Sequence, residues 1–475
     1  MELEEILQPL VKPLSDSIAV SKGPNIEVRD AKTLRQSIES LVRQAVLAPE
    51  PYGSLARWLV RECAIKVGVV PASIHDLYLA RGRGEARNDF TVPALNLRSL
   101  PFHAARAAFR ACRDLDATAL IFEIARSEIG YTNQRPAEYA ACVLGAALAE
   151  GYTGPVFLQG DHFQTSPKRY AEDAAGELEA VRALSEEAIK AGFFNIDIDT
   201  STLVDLERPT ILQQQEANYT HCAELTSQIR SLQPEGVDVS VGGEIGEVGG
   251  HNSTEPELRA FMEGFDQTLD DLAPGQPGLS KISIQTGTSH GGVVLPDGSI
   301  AKVKVDFVTL QNLSRVARES FGMAGAVQHG ASTLPLEAFP RFPESGACEV
   351  HLATNFQNIL FDHLPHGFRQ EMYLYLDEHF PHERKPDQTD EQFYYKTRKR
   401  SLGPFKAQIW DMPQETVHQV EAAWEEQFRI LFERLNIQGT QAEVERHITP
   451  PPIFVDVSDY LKGVDLDEDV GDLAD

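Results

Sequence analysis

From about residue 90 onward, short apolar segments alternate with longer amphipathic segments, and this alternation limits the fold more than any other feature of the chain. The apolar segments are dense in Val, Ile, Leu and Phe, as strands buried on both faces of a parallel sheet require. Repeated strand–helix units of this kind predict an α/β fold. Eight strands are predicted, over residues 91–97, 119–125, 155–159, 193–199, 237–244, 281–286, 325–328 and 348–354.

Eight strand–helix units close a (β/α)8 barrel, the TIM-barrel fold, which takes about 250 residues. The chain has 475 residues, so we expect additions on both sides of the barrel. We predict a helical N-terminal extension over residues 1–87, the barrel over 88–362, a helical appendage over 363–445 and a proline-containing, acidic tail over 446–475. The amphipathic segment 415–435 of the appendage is expected to pack on the barrel or on a second subunit.

Charge and composition argue against several classes of protein. A formal net charge of -28 repels phosphate backbones, so nucleic-acid binding is not expected. No apolar run approaches the roughly 20 residues that cross a bilayer, and the first residues lack the features of a secretory signal. The five scattered cysteines form no Cys-x-x-Cys pair, which disfavours disulfides and thiolate zinc sites. We therefore expect a cytoplasmic protein without a membrane partner.

Three histidines stand beside or near glycine at the ends of three predicted strands. They are His162, His290 and His329. Catalytic groups of a TIM barrel sit at the carboxyl ends of its strands. Three imidazoles leave a tetrahedral zinc ion one open position, which distinguishes a catalytic zinc site from a structural one. The three histidines are therefore candidate ligands of Zn2+, and the neighbouring Asp161 is the candidate acid/base.

These segments resemble, in order, the motifs of class II, zinc-dependent ketose-bisphosphate aldolases of the fructose- and tagatose-bisphosphate aldolase superfamily. Residues 90–96 are similar to the family's first strand, usually Val-Pro-Ala-Phe-Asn, and residues 160–162 to its Asp-His pair. Residues 287–291 and 329–332 are similar to its second and third zinc motifs. The resemblance covers roughly residues 88 to 360. It implies a lyase that reversibly cleaves a phosphorylated ketose to dihydroxyacetone phosphate and an aldehyde.

The resemblance also implies roles for single residues. Asp161 exchanges a proton with the substrate's C4 hydroxyl, while the zinc ion stabilises the enediolate that remains when the carbon–carbon bond breaks. Asp199 and Glu244 resemble acidic residues near the metal, where they orient the ligands or hold a second divalent or a monovalent cation. At least a homodimer is implied. The candidates for binding the substrate phosphate, in the last barrel loops, are Gly291, Gly330, Ala331, Ser332 and Thr354.

Departures from the family leave the substrate and one catalytic role open. His351 stands where the family usually has an asparagine that contacts the triose phosphate, and Ala353 matches the tagatose type rather than the fructose type. The glutamate expected soon after a double glycine in the loop following the fifth strand is missing. His251 and Glu255 are alternatives for that proton-abstracting base. Asn355, at the end of the eighth strand, is a further residue with an open role.

Two other functions compete with the aldolase. Residues 160–163, together with Glu123 and residues 130–132, also resemble the accessory, non-catalytic subunit of tagatose-bisphosphate aldolase. That subunit lacks the full histidine set of the later strands, so His290 and His329 favour an active enzyme. The remaining alternative is a metal-dependent sugar-phosphate isomerase or epimerase, which stabilises an enediolate without cleaving a carbon–carbon bond.

Overall fold

A parallel sheet closes on itself at the centre of the molecule. The computed structural model describes residues 3–21, 25–246, 250–287, 295 and 304–461. Each barrel strand pairs with the next along the chain, and the eighth pairs with the first. The predicted (β/α)8 barrel is therefore confirmed. Its strands, numbered below from first to eighth, are Val92–Asn96, Ile121–Ala125, Gly154–Gln164, Asn195–Asp199, Ser240–Glu244, Lys281–Ile284, Ala326–Gln328 and Glu349–Leu352.

Local sequence signals set the ends of the surrounding helices. Pro101 and Pro136 open two of them, where the missing N–H costs no hydrogen bond. Thr254 and Glu257 form a capping box. Gly192 ends another helix in the left-handed conformation, with φ 99°. The main barrel helices are Pro101–Leu115, Pro136–Ala149, Ala174–Ala191, Glu216–Leu232, Glu255–Leu272, Phe307–Phe321 and Thr354–His363; shorter ones are Arg126–Thr132, Pro167–Glu172, Ile211–Gln214 and Arg341–Glu344.

The N-terminal extension is mainly helical, as predicted, but it also contains strands. A hairpin pairs Ile18–Ser21 with Asn25–Val28. Val69–Ala72 pairs in parallel with the start of the third barrel strand and adds a ninth strand to the sheet. Strands of four residues are too short to show a period in the sequence. The helices of the extension are Leu3–Val11, Ala31–Leu47, Tyr52–Lys66 and His75–Gly82.

The C-terminal appendage covers one side of the barrel. Its longest helix, Gln414–Arg434, packs along Pro101–Leu115. In that interface Glu421 Oε1 lies 2.7 Å from His103 Nδ1, and Glu425 accepts a hydrogen bond of 2.6 Å from Arg110. The amphipathic segment predicted there thus buries its apolar face against the barrel of its own chain. The other helices that follow the barrel, in the appendage and in the described part of the tail, are His366–His379, Asp390–Thr397, Lys406–Trp410, Gln441–His447 and Val457–Tyr460.

Within the ranges that the structure describes, no helix combines the length and the apolar character needed to cross a membrane. The acidic end of the predicted tail, beyond residue 461, lies outside those ranges.

Candidate active site

The third barrel strand carries Asp161 and His162 and runs past the predicted end at residue 159 to Gln164. Its register with the fourth strand shifts between Gly160 and Phe163, and His162 has a positive φ of 40°. Such a bulge re-aims side chains at the rim of a barrel. The ring of Phe163 lies directly against Gly160, where any added Cβ would clash with it. Glycine is therefore required at residue 160 for this turn of the strand.

His329 follows the seventh strand and meets His162 across the barrel rim. The centroids of the two imidazole rings are 4.1 Å apart, and His329 Nε2 lies 3.0 Å from Ser283 Oγ. Asp161, His162 and His329 are all buried, and each presents one ligand atom within 4.8 Å of the others. Two of the three predicted histidines and the predicted acid/base are therefore neighbours. The third, His290, lies outside the described residues.

Two carboxylates contact Nδ1 of the His162 ring. Nδ1 of His162 lies 3.3 Å from Asp199 Oδ2 and 3.3 Å from Glu244 Oε2. Asp199 is itself fixed, because its Oδ1 accepts hydrogen bonds from the Ser201 amide at 3.0 Å and the Ser201 hydroxyl at 2.7 Å. This contact orients the ring so that Nε2 faces Asp161, whose Oδ1 is 4.0 Å away. Burial opposes ionisation, but the surrounding carboxylates raise the pKa of His162 well above its usual value.

Both oxygens of the Asp161 carboxylate have partners from other strands. Asn96, which ends the first strand, donates to Asp161 Oδ2 at 2.8 Å and to Glu128 Oε2 at 2.9 Å. His351 Nδ1, on the eighth strand, lies 3.0 Å from Asp161 Oδ1. Burial would raise the pKa of Asp161, but His162 and His351 together hold it well below its usual value. Asp161 is thus a carboxylate in a fixed orientation.

A buried network of charges lies beneath these residues. His351 Nε2 is 2.7 Å from Glu349 Oε1. Lys281 donates to Glu349 Oε1 at 2.5 Å and to Asp197 Oδ2 at 2.8 Å. Burial would lower the pKa of Lys281, but the two carboxylates raise it above its usual value. Lys281 is therefore held as an ammonium, the form that cannot add to a carbonyl.

Several residues found here have no catalytic role assigned to them from the sequence. Asn96, Arg98 and Glu128 line the open pocket above Asp161, and Arg98 donates to Glu128 Oε1 at 2.6 Å. Glu123 lies deeper, where burial and the nearby Asp161 raise its pKa to about 8. The sequence feature that could have identified such residues is an ionisable side chain within an apolar strand, as at Glu123 and Lys281. Such a group needs a partner inside the barrel.

The candidate phosphate-binding residues lie on the far side of the same pocket. Ser332 Oγ accepts a hydrogen bond of 2.7 Å from the Ala353 amide, which ties the seventh loop to the eighth. Thr354 begins the helix Thr354–His363, whose first amides lack partners within the helix. Ala331 is buried in the core, and Gly291 lies outside the described residues. The pocket is lined there by Gly330, Ser332, Ala353 and Thr354.

The remaining candidates are not among the residues that line the pocket of the histidine pair. His251 is exposed, with Nδ1 2.9 Å from Asn252 O and Nε2 3.8 Å from Glu257 Oε1. Glu255 is half-buried in the first turn of its helix and accepts a hydrogen bond of 2.9 Å from Arg259. Asn355 is half-buried next to Thr354. The assignment of the proton-abstracting base to His251 or Glu255 stays a prediction.

Comparisons with known proteins agree with this architecture. The probable tagatose 6 phosphate kinase from Sinorhizobium meliloti 1021 has 16% identity and a TM-score of 0.51, over 75% of this chain and 99% of that chain. The fructuronate-tagaturonate epimerase UxaE from Cohnella laeviribosi has 13% identity and a TM-score of 0.51, over 89% of this chain and 90% of that chain. Fructose-bisphosphate aldolase from Campylobacter jejuni has 18% identity and a TM-score of 0.46, over 78% and 97%.

At these identities the two structures with a TM-score of 0.51 indicate the fold alone. None of the curated proteins compared with the chain matches it. Residues 84–427, however, match the sequence model of the family described as "Fructose-bisphosphate aldolase class-II". Since this match spans well over half of its residues, the chain belongs to the class II fructose-bisphosphate aldolase family.

Proposed function

We propose that the chain is a metal-dependent aldolase that reversibly cleaves a phosphorylated ketose, of the tagatose- or fructose-bisphosphate type, to dihydroxyacetone phosphate and an aldehyde. The group formed by Asp161, His162 and His329 carries this proposal, because it joins an acid/base to two imidazoles at the catalytic face of a barrel. Membership of the class II aldolase family supports the same chemistry.

The donor set fits a divalent metal ion, with zinc as the proposed one. Imidazole nitrogens are preferred zinc ligands, and we assign His162 and His329 to it together with His290. Three carboxylates, those of Asp161, Asp199 and Glu244, surround the single ring of His162, and this excess of negative charge favours a bound cation. When bound, the metal supplies a Lewis acid that stabilises the negative charge of an enediolate. Asp199 and Glu244 are assigned to orient His162 or to hold a second cation.

Asp161 is proposed to transfer the proton in the cleavage step. Its carboxylate accepts the proton of the substrate's C4 hydroxyl, the C3–C4 bond breaks, and C4 becomes the carbonyl carbon of the aldehyde. The electron pair of the broken bond remains on the other fragment as an enediolate. A proton added at C3 then completes dihydroxyacetone phosphate, and in the reverse direction Asp161 returns its proton to the new hydroxyl. We expect His251 or Glu255 to exchange the proton at C3.

The substrate phosphate is proposed to bind at the seventh and eighth loops. Gly330 and Ser332 offer backbone amides and a hydroxyl, and Thr354 offers the N-terminus of a helix, which favours anions. Ala331 and Gly291 are assigned to the same corner. Binding there would place the sugar carbons of the substrate over Asp161, because both sets of residues line one pocket.

A second candidate is a metal-dependent epimerase. The specific observation in its favour is the similarity to the fructuronate-tagaturonate epimerase, which extends over 89% of this chain and so includes residues beyond the aldolase match. Such an enzyme would use the same metal and the same acid/base but would return a stereoisomer of its substrate.

Product analysis over a panel of ketose mono- and bisphosphates tests the proposal. The zinc-loaded protein is assayed before chelation, after chelation and after zinc is restored. Release of dihydroxyacetone phosphate that is lost with the chelator and regained with zinc is the expected result. A metal-dependent product of unchanged mass would instead identify the epimerase. No conversion by the zinc-loaded protein across the panel would contradict both and favour the accessory subunit.

A further inference from the structure

We propose that His351 is a positioning residue that holds the Asp161 carboxylate in the orientation that accepts the substrate's C4 proton. This inference rests on the proposed function. It concerns an eighth-strand residue that lines the pocket beside Asp161.

Asp161 is held from two sides. His351 Nδ1 lies 3.0 Å from Asp161 Oδ1, and Asn96 donates to Asp161 Oδ2 at 2.8 Å. The two partners belong to the eighth and first strands, which pair directly with each other. With each oxygen tied to a different strand, the carboxylate cannot rotate about its Cβ–Cγ bond without losing a buried hydrogen bond. Fixing an acid/base in this way is how a supporting residue contributes to a catalytic site.

His351 is itself held by residues of the barrel core. Its Nε2 lies 2.7 Å from Glu349 Oε1. Glu349 in turn accepts hydrogen bonds from Lys281 at 2.5 Å, from Gln159 at 2.8 Å and from Tyr78 at 2.5 Å. Nδ1 of the same ring also lies 3.1 Å from Glu123 Oε1. The ring therefore connects the carboxylate of Asp161 in the pocket with the carboxylates of Glu123 and Glu349 in the core of the barrel. Its position is set by the barrel core rather than by the substrate.

Only a side chain with a hydrogen-bonding nitrogen at each end makes this bridge. An imidazole presents Nδ1 to one carboxylate and Nε2 to the other, whereas an amide presents its nitrogen to one carboxylate and an acceptor oxygen to the other. An asparagine or glutamine at residue 351 would therefore lose one of the two contacts. The substitution would leave His329 in place, although the centroid of its ring lies 4.0 Å from that of His351.

The test compares His351→Asn, Asp161→Asn and the double variant in two reactions. The first is cleavage of the ketose substrate, which needs the C4 proton transfer. The second is exchange of the C3 proton of dihydroxyacetone phosphate with deuterium from solvent, which involves no C4 hydroxyl. We expect His351→Asn to lower kcat for cleavage about 10- to 100-fold. KM, zinc content and the exchange rate should stay within about twofold of the parent protein.

The double variant is expected to cleave no more slowly than Asp161→Asn alone, because residues that act as a unit are not additive. His103→Asn is the matched control. It breaks a buried histidine–glutamate pair with Glu421, neither member of which lines the pocket, and should leave kcat unchanged. His351→Gln provides a second variant with the same expectations if His351→Asn does not fold.

Equal losses of cleavage and exchange in a zinc-loaded His351 variant would overturn the proposal, as would a double variant slowed by the full product of the two single effects. Failure of the proposed function would look different, because the parent protein would then catalyse neither cleavage nor exchange.

Discussion

The imidazole rings of His162 and His329 lie with their centroids 4.1 Å apart, although His162 belongs to the third barrel strand and His329 follows the seventh. Closure of the barrel produces this contact, because the carboxyl ends of all eight strands meet at one rim. Any ion bound at this rim therefore depends on residues from distant parts of the chain.

Replacing either histidine should remove the metal. We expect His162→Ala and His329→Ala each to lose bound zinc after dialysis and to lose at least about 100-fold in cleavage rate, since even residues that only support a ligand contribute 10- to 100-fold. Elemental analysis and the cleavage assay measure the two effects. His221→Ala is the control, because His221 contacts Tyr170 and Glu224 away from the site. Full zinc content in either site variant would contradict the assignment.

Removing the charge of Asp199 should weaken zinc binding without abolishing it. In Asp199→Asn, one of the two carboxylates facing Nδ1 of His162 becomes a neutral amide, while Glu244 remains. The expected loss of zinc affinity is about 10- to 100-fold, measured by competition with a chromogenic chelator. Asp205→Asn, which changes an exposed aspartate paired with Arg208, should bind zinc as the parent protein does. An unchanged affinity in Asp199→Asn would rule out this supporting role.

Gly160 should tolerate no side chain. In Gly160→Ala the new methyl group meets the ring of Phe163, so we expect the free energy of unfolding to fall by about 1–3 kcal/mol. Gly367→Ala is the opposite case, because a Cβ there meets no atom within 4 Å and residue 367 lies in the helix His366–His379. It should be neutral or stabilising by up to about 1 kcal/mol. Urea denaturation gives both values, and a Gly160→Ala protein of parental stability would contradict the packing argument.

The eight strands were predictable because burial on both faces requires continuous apolar runs. Seven of them end within two residues of the prediction, and the third differs because its final residues depend on the bulge at Gly160 and Phe163. A bulge depends on tertiary packing, and the local spacing of apolar residues in the sequence does not predict it. The hairpin of Ile18–Ser21 and Asn25–Val28 was missed for a related reason, since its strands are too short to show alternation.

The candidate site was predictable as a set of strand-end residues, but its contacts were not. The sequence indicated that Asp161, His162 and His329 share one rim. It could not indicate that His351 contacts both Asp161 and Glu349, or that Lys281 pairs with both Asp197 and Glu349. Those pairings depend on the register and stagger of the closed barrel, which hydrophobic pattern does not determine.

Acid should weaken the contact between the appendage and the barrel. Burial would raise the pKa of Glu421, but His103, Arg106 and Arg110 hold that pKa below its usual value of 4.5. A carboxyl group whose folded pKa is lowered stabilises the fold above its unfolded pKa and loses that contribution as the pH falls through the folded pKa. At neutral pH, Glu421→Gln should therefore lower the free energy of unfolding by about 1–3 kcal/mol.

Denaturation curves of the parent protein and Glu421→Gln, recorded between pH 7 and pH 3, check this expectation. The difference between them should shrink below about pH 4.5, where the parent carboxyl group starts to be protonated in the unfolded chain. A difference that stays constant over this range would show that packing, rather than charge, accounts for the effect.

All of the catalytic roles proposed above depend on a metal ion bound by His162 and His329. Anomalous diffraction from zinc-loaded crystals, recorded at the zinc absorption edge, locates that ion directly. The account predicts a strong peak about 2.0 Å from one imidazole nitrogen of each histidine, next to Asp161. A zinc-loaded crystal with its peak elsewhere, or with no peak at these two rings, would contradict it.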